Sequence, residues 1–288
     1  MRSIEMSNPA SRRCFVLIAS GHDETYLRRG TLTAMRSILK SNPGVPVVVL
    51  HHDLSTAQEK LFSDATLTRV GLSDFQLSAY STLARRDIPR TVFLSLYVER
   101  LEQFDVAIYV DADAVVLESL EDLFSIEAPL AARVMNENPL VEHFEDGVSL
   151  LRREGVDGVH ALNNGLVRFD LDYWRRNGLL DQAASLYRRH GPDAFRFADQ
   201  SLLNLIAYKT RGFRPLSRTY NFCRYPDMFR MEHGFATNVL GLVAPRIDEG
   251  LVKVVHWTGP VKPWSAAVEL IDNPRVAMCL DCYEQFSA

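Results

Sequence analysis

Cysteine is scarce in this chain: four among 288 residues, Cys14, Cys223, Cys279 and Cys282. Four thiols in a chain of this length exclude a disulfide framework. Cys279 and Cys282 form a CLDC pair, yet no second Cys or His pair is spaced to complete a zinc knuckle. They share an apolar pattern with Ala277, Leu280 and Tyr283, so they read as two thiols on a helix. Any excess of positive charge is also missing. Lys and Arg number 32 against 36 Asp and Glu, a net charge of −4, which leaves no broad surface for nucleic acid. No stretch reaches the ~18 uninterrupted apolar residues of a membrane helix. The opening MRSIEMSNPASRR has no apolar run for a signal peptide. The C-terminal stretch carries Glu269, Asp272, Asp281 and Glu284 rather than a basic face, so membrane contact is at most peripheral. A cytoplasmic protein is expected.

What is present is ordinary for a globular α/β chain: 47% hydrophobic and 24% charged residues, with no repeat, low-complexity tract or linker. Residues 1–13 read as a flexible leader. Cys14–Ser20 is a short apolar run that predicts a buried first strand. Leu32, Met35, Ile38 and Leu39 then repeat at helical spacing up to SNPG. VPVVVLHH predicts a second buried strand, TAQEKLF begins a helix, and Phe93, Leu94, Tyr97 and Leu101 fall on one face of a helix over 91–103. Another strand starts at Val106. Alternation of this kind predicts a doubly wound parallel sheet over the first 120 or so residues. Farther on, PLAARVM and GLVRFDL are strand-like. ENPLVEHFEDGVSLLRREGVDG is a polar excursion of weak periodicity, an amphipathic segment starts near Tyr173, FADQSLLNLIAY predicts a helix, YNFCRYPDMF an aromatic loop, and LVKVVHWTG a last strand. One domain is expected.

The stretch VAIYVDADAVVLESL sets the functional question. Ionised carboxylates in apolar surroundings cost several kcal/mol each unless paired or bound to metal. Asp111 and Asp113, two residues apart in extended chain, project to one side. At the carboxyl end of an α/β strand such a pair suits Mn²⁺ or Mg²⁺ with phosphate oxygens. A bare D-x-D is equally the mark of two solvated acids in a turn. DADAVV also fits the D-x-D-x-[TV] pattern of haloacid-dehalogenase-like phosphohydrolases, in which Asp111 would be a phosphorylated nucleophile. In that family the motif follows the first core strand, whereas here at least two strand–helix units precede it.

Downstream, VVHWTGPVKPW follows an apolar strand. An imidazole from His256 can complete a site built on two carboxylates. Gly259 permits close backbone approach, and Lys262 supplies a point charge for a diphosphate. Taken singly, His256 reads as a core or loop histidine and Lys262 as a solvated charge; the combination with D-x-D carries the argument.

With these motifs the chain resembles the retaining glycosyltransferases of family 8, which include glycogenin and bacterial lipopolysaccharide galactosyl- and glucosyltransferases. Six stretches fall in order between Cys14 and Trp264: IAS, YVDADAVVL, LNNGLVRFDLDYWR, FADQSLLN, RTYNF and HWTGPVKPW. The resemblance implies a GT-A fold, a Rossmann-like doubly wound mixed sheet in a single domain, with a nucleotide-binding half over 14–118 and a donor and acceptor half over 119–288. It further implies a UDP-hexose donor (UDP-glucose or UDP-galactose), Mn²⁺, and a glycan or glycolipid acceptor, and leaves room for a homodimer. Family roles would fall on Asp111, Asp113 and His256 as metal ligands. Ala19, Ser20, Tyr26 and Ala112 would line the nucleotide, and Gly259 and Lys262 the diphosphate. Asn163 and Asn164 would approach the donor sugar, Asp199 would bond its hydroxyls, and Gln200 would lie beneath the anomeric carbon.

Three departures accompany the resemblance. SGHDETY lengthens the approach to Tyr26. The Arg or Lys usual near Leu94 is absent, with Arg90 one turn earlier on the same face. Ser201 replaces a second Asp common in bacterial members. An amide at Gln200 is a poor nucleophile, so retention is expected by attack on the leaving group's own face. Segment 139–158 is the expected acceptor wall. A non-catalytic sugar-nucleotide binder is the remaining alternative.

Overall fold

A computed structural model describes residues 12–71, 90–223, 227–229, 231 and 234–287 of the chain. β1 (Arg13–Ala19), β2 (Val47–His51), β3 (Thr66–Arg69) and β4 (Val106–Val110) are the expected parallel core, ordered β3-β2-β1-β4. β1, β2 and β4 are runs of apolar, often β-branched residues buried on both faces, the signature of a sheet covered on both sides. α1 (Leu32–Ser41) covers one face, packing Met35 and Ile38. The helical segment Arg90–Arg100, of 3₁₀ geometry, covers the other with Phe93, Leu94 and Tyr97. Leu94, where the family cation was sought, is a fully buried core residue. The same half of the chain supplies α2 (Thr56–Glu59), with a Ser55–Gln58 capping box, and β5 (Ala114–Val116).

The second half joins the same sheet, as the mixed sheet implied by the family resemblance requires. β6 (Leu130–Pro139), β7 (His160–Asp170) and β8 (Phe213–Leu216) extend it to seven strands in the order β3-β2-β1-β4-β7-β6-β8. β7 runs antiparallel to both β4 and β6, so the sheet is mixed. The polar excursion is helical: α3 (Gly147–Glu154) is capped by the Asp146 side chain and ended by Gly155 in the left-handed region. Its weak periodicity reflects a short helix with few core positions. α4 (Leu171–Asn177), α5 (Leu179–His190) and α6 (Ala198–Thr210) follow. Buried Asn204 of α6 bonds the backbone N–H and C=O of Leu162 in β7, which ties that helix to the strand.

β9 (Phe222–Cys223), β10 (Phe235–Thr237), β11 (Val243–Ile247), β12 (Gly250–Leu251) and β13 (Val254–His256) form two small sheets, β10-β11-β12 and β5-β13-β9. α7 (Pro274–Glu284) closes this third core with Cys279, Cys282 and Tyr283. All four cysteines are free and buried, as the helix reading of CLDC required, and burial pushes the Cys282 thiol up to about 12. Of the expected leader, Arg13 opens β1 and Arg12 pairs with Asp105, so these two belong to the folded domain; residues 1–11 lie outside the described set. No helix among the described residues is long and apolar enough to cross a membrane.

The buried Glu154 side chain joins α3 to α5 and α6 through Arg189, His190 and Lys209 at 3.0, 2.7 and 2.7 Å. Burial disfavours its charge, but Lys209, His190 and Arg189 hold the carboxyl down at about 2. Its stabilisation is therefore full above the unfolded carboxyl range and disappears as pH falls toward 2. Glu154→Gln is expected to cost about 1–3 kcal/mol at neutral pH in urea unfolding, with little difference from wild type near pH 2.

Candidate active site

Strand pairing brings the distant motifs together. β13 lies antiparallel to β5, with His256 opposite Ala114, and parallel to β9, with His256 opposite Cys223. β4 ends at Val110, so Asp111–Asp113 form a turn into β5, closed by Ala114 N–H to Asp111 C=O at 3.1 Å. The expected extended D-x-D is thus replaced by a turn, because the chain must pass from one sheet to another. The carboxylates still converge. His256 Nε2 lies 3.3 Å from Asp113 Oδ1 and 3.5 Å from Asp111 Oδ2. One ligand atom from each of the three residues falls within 4.8 Å of the others.

Charge is concentrated here under burial. Burial and the Asp113 charge push Asp111 up to about 6, against His256 and a hydrogen bond from Tyr109. Burial disfavours charge on Asp113 too, but Lys262 and His256 hold it well below the ordinary carboxylate range. For His256 burial opposes protonation and the Asp113 carboxylate overrides it, giving about 10. Asp113 Oδ1 is a buried acceptor with no hydrogen-bond partner among the described residues. Two carboxylates, an imidazole and an orphaned buried oxygen fit a divalent cation. Lys262 reaches into the cluster, donating to Asp113 Oδ2 and to Trp257 C=O.

Nearby, Asp199 lies in the first turn of α6, immediately after Ala198, whose φ of 49° is in the left-handed region. Strain at a non-glycine residue persists where packing over-determines it. Ser201 Oγ supplies part of that packing, accepting Phe197 N–H and donating to His143 C=O. Asp199 Oδ2 accepts from Ser95 Oγ at 2.7 Å and Asn164 Nδ2 at 2.8 Å. Gln200 is the next residue, half-buried. Asn163 turns elsewhere: its Oδ1 accepts Gly165 N–H and Asn221 Nδ2.

Of the expected nucleotide residues, Tyr26 stands edge-on to Trp264 at 5.1 Å, its hydroxyl kept protonated by burial and by the Asp113 and Asp111 charges. Ala112 C=O faces Gly30 beside it. Ala19 ends β1, and Ser20 donates to Asp53, which also accepts Gly21 N–H. Gly259 has φ +84° in the loop after β13. Arg90 opens its helical segment, but its side chain lies outside the described set.

Sequence reasoning passed over Tyr109, Ser95, Gly165 and Asn221. Gly165 was findable: glycine inside a strand marks close approach, and a Cβ there would fall 2.1 Å from the His256 ring. Tyr109 and Ser95 carry no signal beyond their place in apolar runs. The phosphohydrolase reading of DADAVV fails on topology, since the motif follows the fourth strand of the sheet in chain order rather than the first, and His256 sits against Asp111.

Burial pushes the Asp199 carboxyl up to about 7, against the Ser95 bond and aided by the Asp111 charge. A raised carboxyl destabilises the fold above its unfolded pKa. Asp199→Asn, which can still accept both bonds, is expected to raise the thermal midpoint at pH 8 by several degrees. The gain should shrink as pH falls and vanish below about pH 4, which thermal melts across pH would read.

Comparison with known proteins agrees with this geometry. The chain is 27% identical over 207 residues to the probable glycosyl transferase Gly of Streptococcus gordonii, covering 70% of this chain and 27% of that protein. It is 23% identical over 252 residues to glycosyltransferase GlyB of Streptococcus pneumoniae, covering 84% and 55%. The chain thus spans only part of these curated relatives. The crystal structure of the galactosyltransferase LgtC with donor and acceptor sugar analogues superimposes with a TM-score of 0.67 at 21% identity, covering 95% of this chain and 96% of that one. The fold is therefore GT-A. With the family model matched over residues 17–267, the chain belongs to glycosyl transferase family 8.

Proposed function

We propose that residues 14–288 form one GT-A domain that transfers a hexose from UDP-glucose or UDP-galactose to a glycan or glycolipid acceptor, with retention and with Mn²⁺. The observation that carries this reading is the meeting of Asp111, Asp113 and His256 beside Lys262 and the Asp199 cluster. Family membership supports the reaction class.

Breaking a glycosyl–phosphate bond passes through an oxocarbenium-like state while negative charge gathers on the departing diphosphate. A divalent cation held by Asp111, Asp113 and His256 would supply Lewis-acid stabilisation of that charge. Lys262, already within the cluster, exchanges its bond to Asp113 for a diphosphate oxygen and adds a second positive charge where it develops. Asn164 and Asp199 hold sugar hydroxyls, with Ser95 fixing the Asp199 carboxylate. Gln200 polarises from beneath the anomeric carbon. The acceptor oxygen attacks on the leaving group's face: the C–O bond to phosphate breaks with its electron pair going to the diphosphate, the new C–O bond forms, and the acceptor proton passes to a diphosphate oxygen. The α3 region, with segment 139–158, forms the acceptor wall.

UDP release from a panel of UDP-sugars, with Mn²⁺ or with chelator, is the direct test. Metal-dependent release with a hexose donor is expected, together with thermal stabilisation by UDP. Stabilisation by GDP or CMP but not UDP would sink the donor assignment. Gln200→Ala is expected to lower turnover ~100-fold and leave UDP affinity nearly unchanged, the pattern of an interaction made in the transition state. A glycosyl adduct on wild-type Gln200, trapped by mass spectrometry, would contradict that role.

A further inference from the structure

The RTYNF stretch contributes a residue whose purpose the reaction scheme leaves open. Asn221 is fully buried and every polar group it has is engaged. Its N–H donates to Arg218 C=O at 3.2 Å and its C=O accepts Arg133 Nη1 at 2.7 Å. Its Nδ2 donates to Asn163 Oδ1 at 2.7 Å, and its Oδ1 lies 2.9 Å from His256 Nδ1.

The direction of these bonds follows from one group that cannot reverse. A backbone N–H only donates, and Gly165 N–H lies 2.9 Å from the Asn163 side chain. The Asn163 atom there must be its oxygen. That oxygen also meets the Asn221 side chain, so the Asn221 atom facing it must be nitrogen, and Asn221 presents its oxygen to the imidazole. An amide oxygen only accepts, so His256 Nδ1 carries a hydrogen. Nε2, which faces Asp111 and Asp113, is therefore the nitrogen at which a cation would take the place of a proton.

The rest of the neighbourhood holds Asn221 still. Arg133, on β6, forms a buried ion pair with Asp227, and Asp227 also accepts Cys223 N–H at 2.8 Å. β9 runs in register with β13, which keeps Asn221 beside His256. Cys223 Sγ, 3.9 Å from Nδ1, is the weaker neighbour of that nitrogen.

We infer that Asn221 is a positioning residue: with Asn163 and the Gly165 backbone it fixes the tautomer and ring orientation in which His256 offers Nε2 to a divalent cation. The inference rests on the proposed metal site. Partners of this kind on a metal-binding histidine typically change affinity by 10–100-fold.

The experiment is a double-mutant cycle read by Mn²⁺ binding rather than by turnover. Free Mn²⁺ is followed by electron paramagnetic resonance with UDP present, in the wild type, Asn221→Leu, His256→Ala and the double variant. Circular dichroism checks folding, and Asn221→Ala replaces Asn221→Leu if the larger residue prevents it. Asn221→Leu is expected to weaken Mn²⁺ about 10–100-fold in the wild-type background and to add nothing in the His256→Ala background. An equal loss in both backgrounds would overturn the inference, because a general structural defect does not need His256. Unchanged Mn²⁺ affinity in Asn221→Leu would overturn it as well. If His256→Ala itself binds Mn²⁺ like wild type, the ligand assignment fails and Asn221 has nothing to position, a result distinct from failure at Asn221 alone.

Discussion

The pairing of β13 with β5 sets His256 against two buried carboxylates, and much of the surrounding structure answers the cost of that charge. Two acids held this close in low dielectric cannot both ionise freely without cations nearby. The protein supplies an imidazolium and an ammonium from one short segment, His256 to Lys262. Tyr109 donates to the less compensated carboxylate, Asp111. The result is a site that is electrostatically incomplete: Asp111 remains raised, and one oxygen of Asp113 has no hydrogen-bond partner among the described residues.

Asp199 follows the same logic with different means. Among the described residues it receives two neutral donors and no cation, and it sits at a helix start whose preceding residue is in a conformation that L-residues seldom adopt. The stability that this arrangement forgoes is recovered elsewhere, in the three apolar cores and in ties such as Asn204 to Leu162.

Glycine at position 165 joins the Asp111 turn, the His256 ring and the Asn163–Asn221 pair. Its backbone C=O accepts Asp111 N–H, its own N–H orients Asn163, and the space a side chain would fill is taken by the His256 ring. One residue of β7 therefore touches the turn, the imidazole and the amide pair at once. This is why LNNG reads as a site motif although Asn163 turns to Gly165 and Asn221.

The sequence by itself determined the elements whose signal is local. β1, β2 and β4 are apolar runs with no polar face, α1 and α6 keep helical spacing, and the D-x-D, His and Lys motifs stand at the ends of such runs, where α/β sheets gather ligands. Membership of the family was legible for the same reason: its signatures are short and contiguous. Only the tertiary structure decided what depends on pairing between distant segments. The antiparallel insertion of β7 beside β4, the passage of Asp111–Asp113 through a turn instead of a strand, and the approach of β9 and β13 all arise from backbone hydrogen bonds between residues far apart in the chain. No periodicity encodes which strand end meets which. The bond order from Gly165 through Asn163 and Asn221 to His256 likewise exists only once those strands are in register, because an amide has no preferred direction until a backbone N–H gives it one.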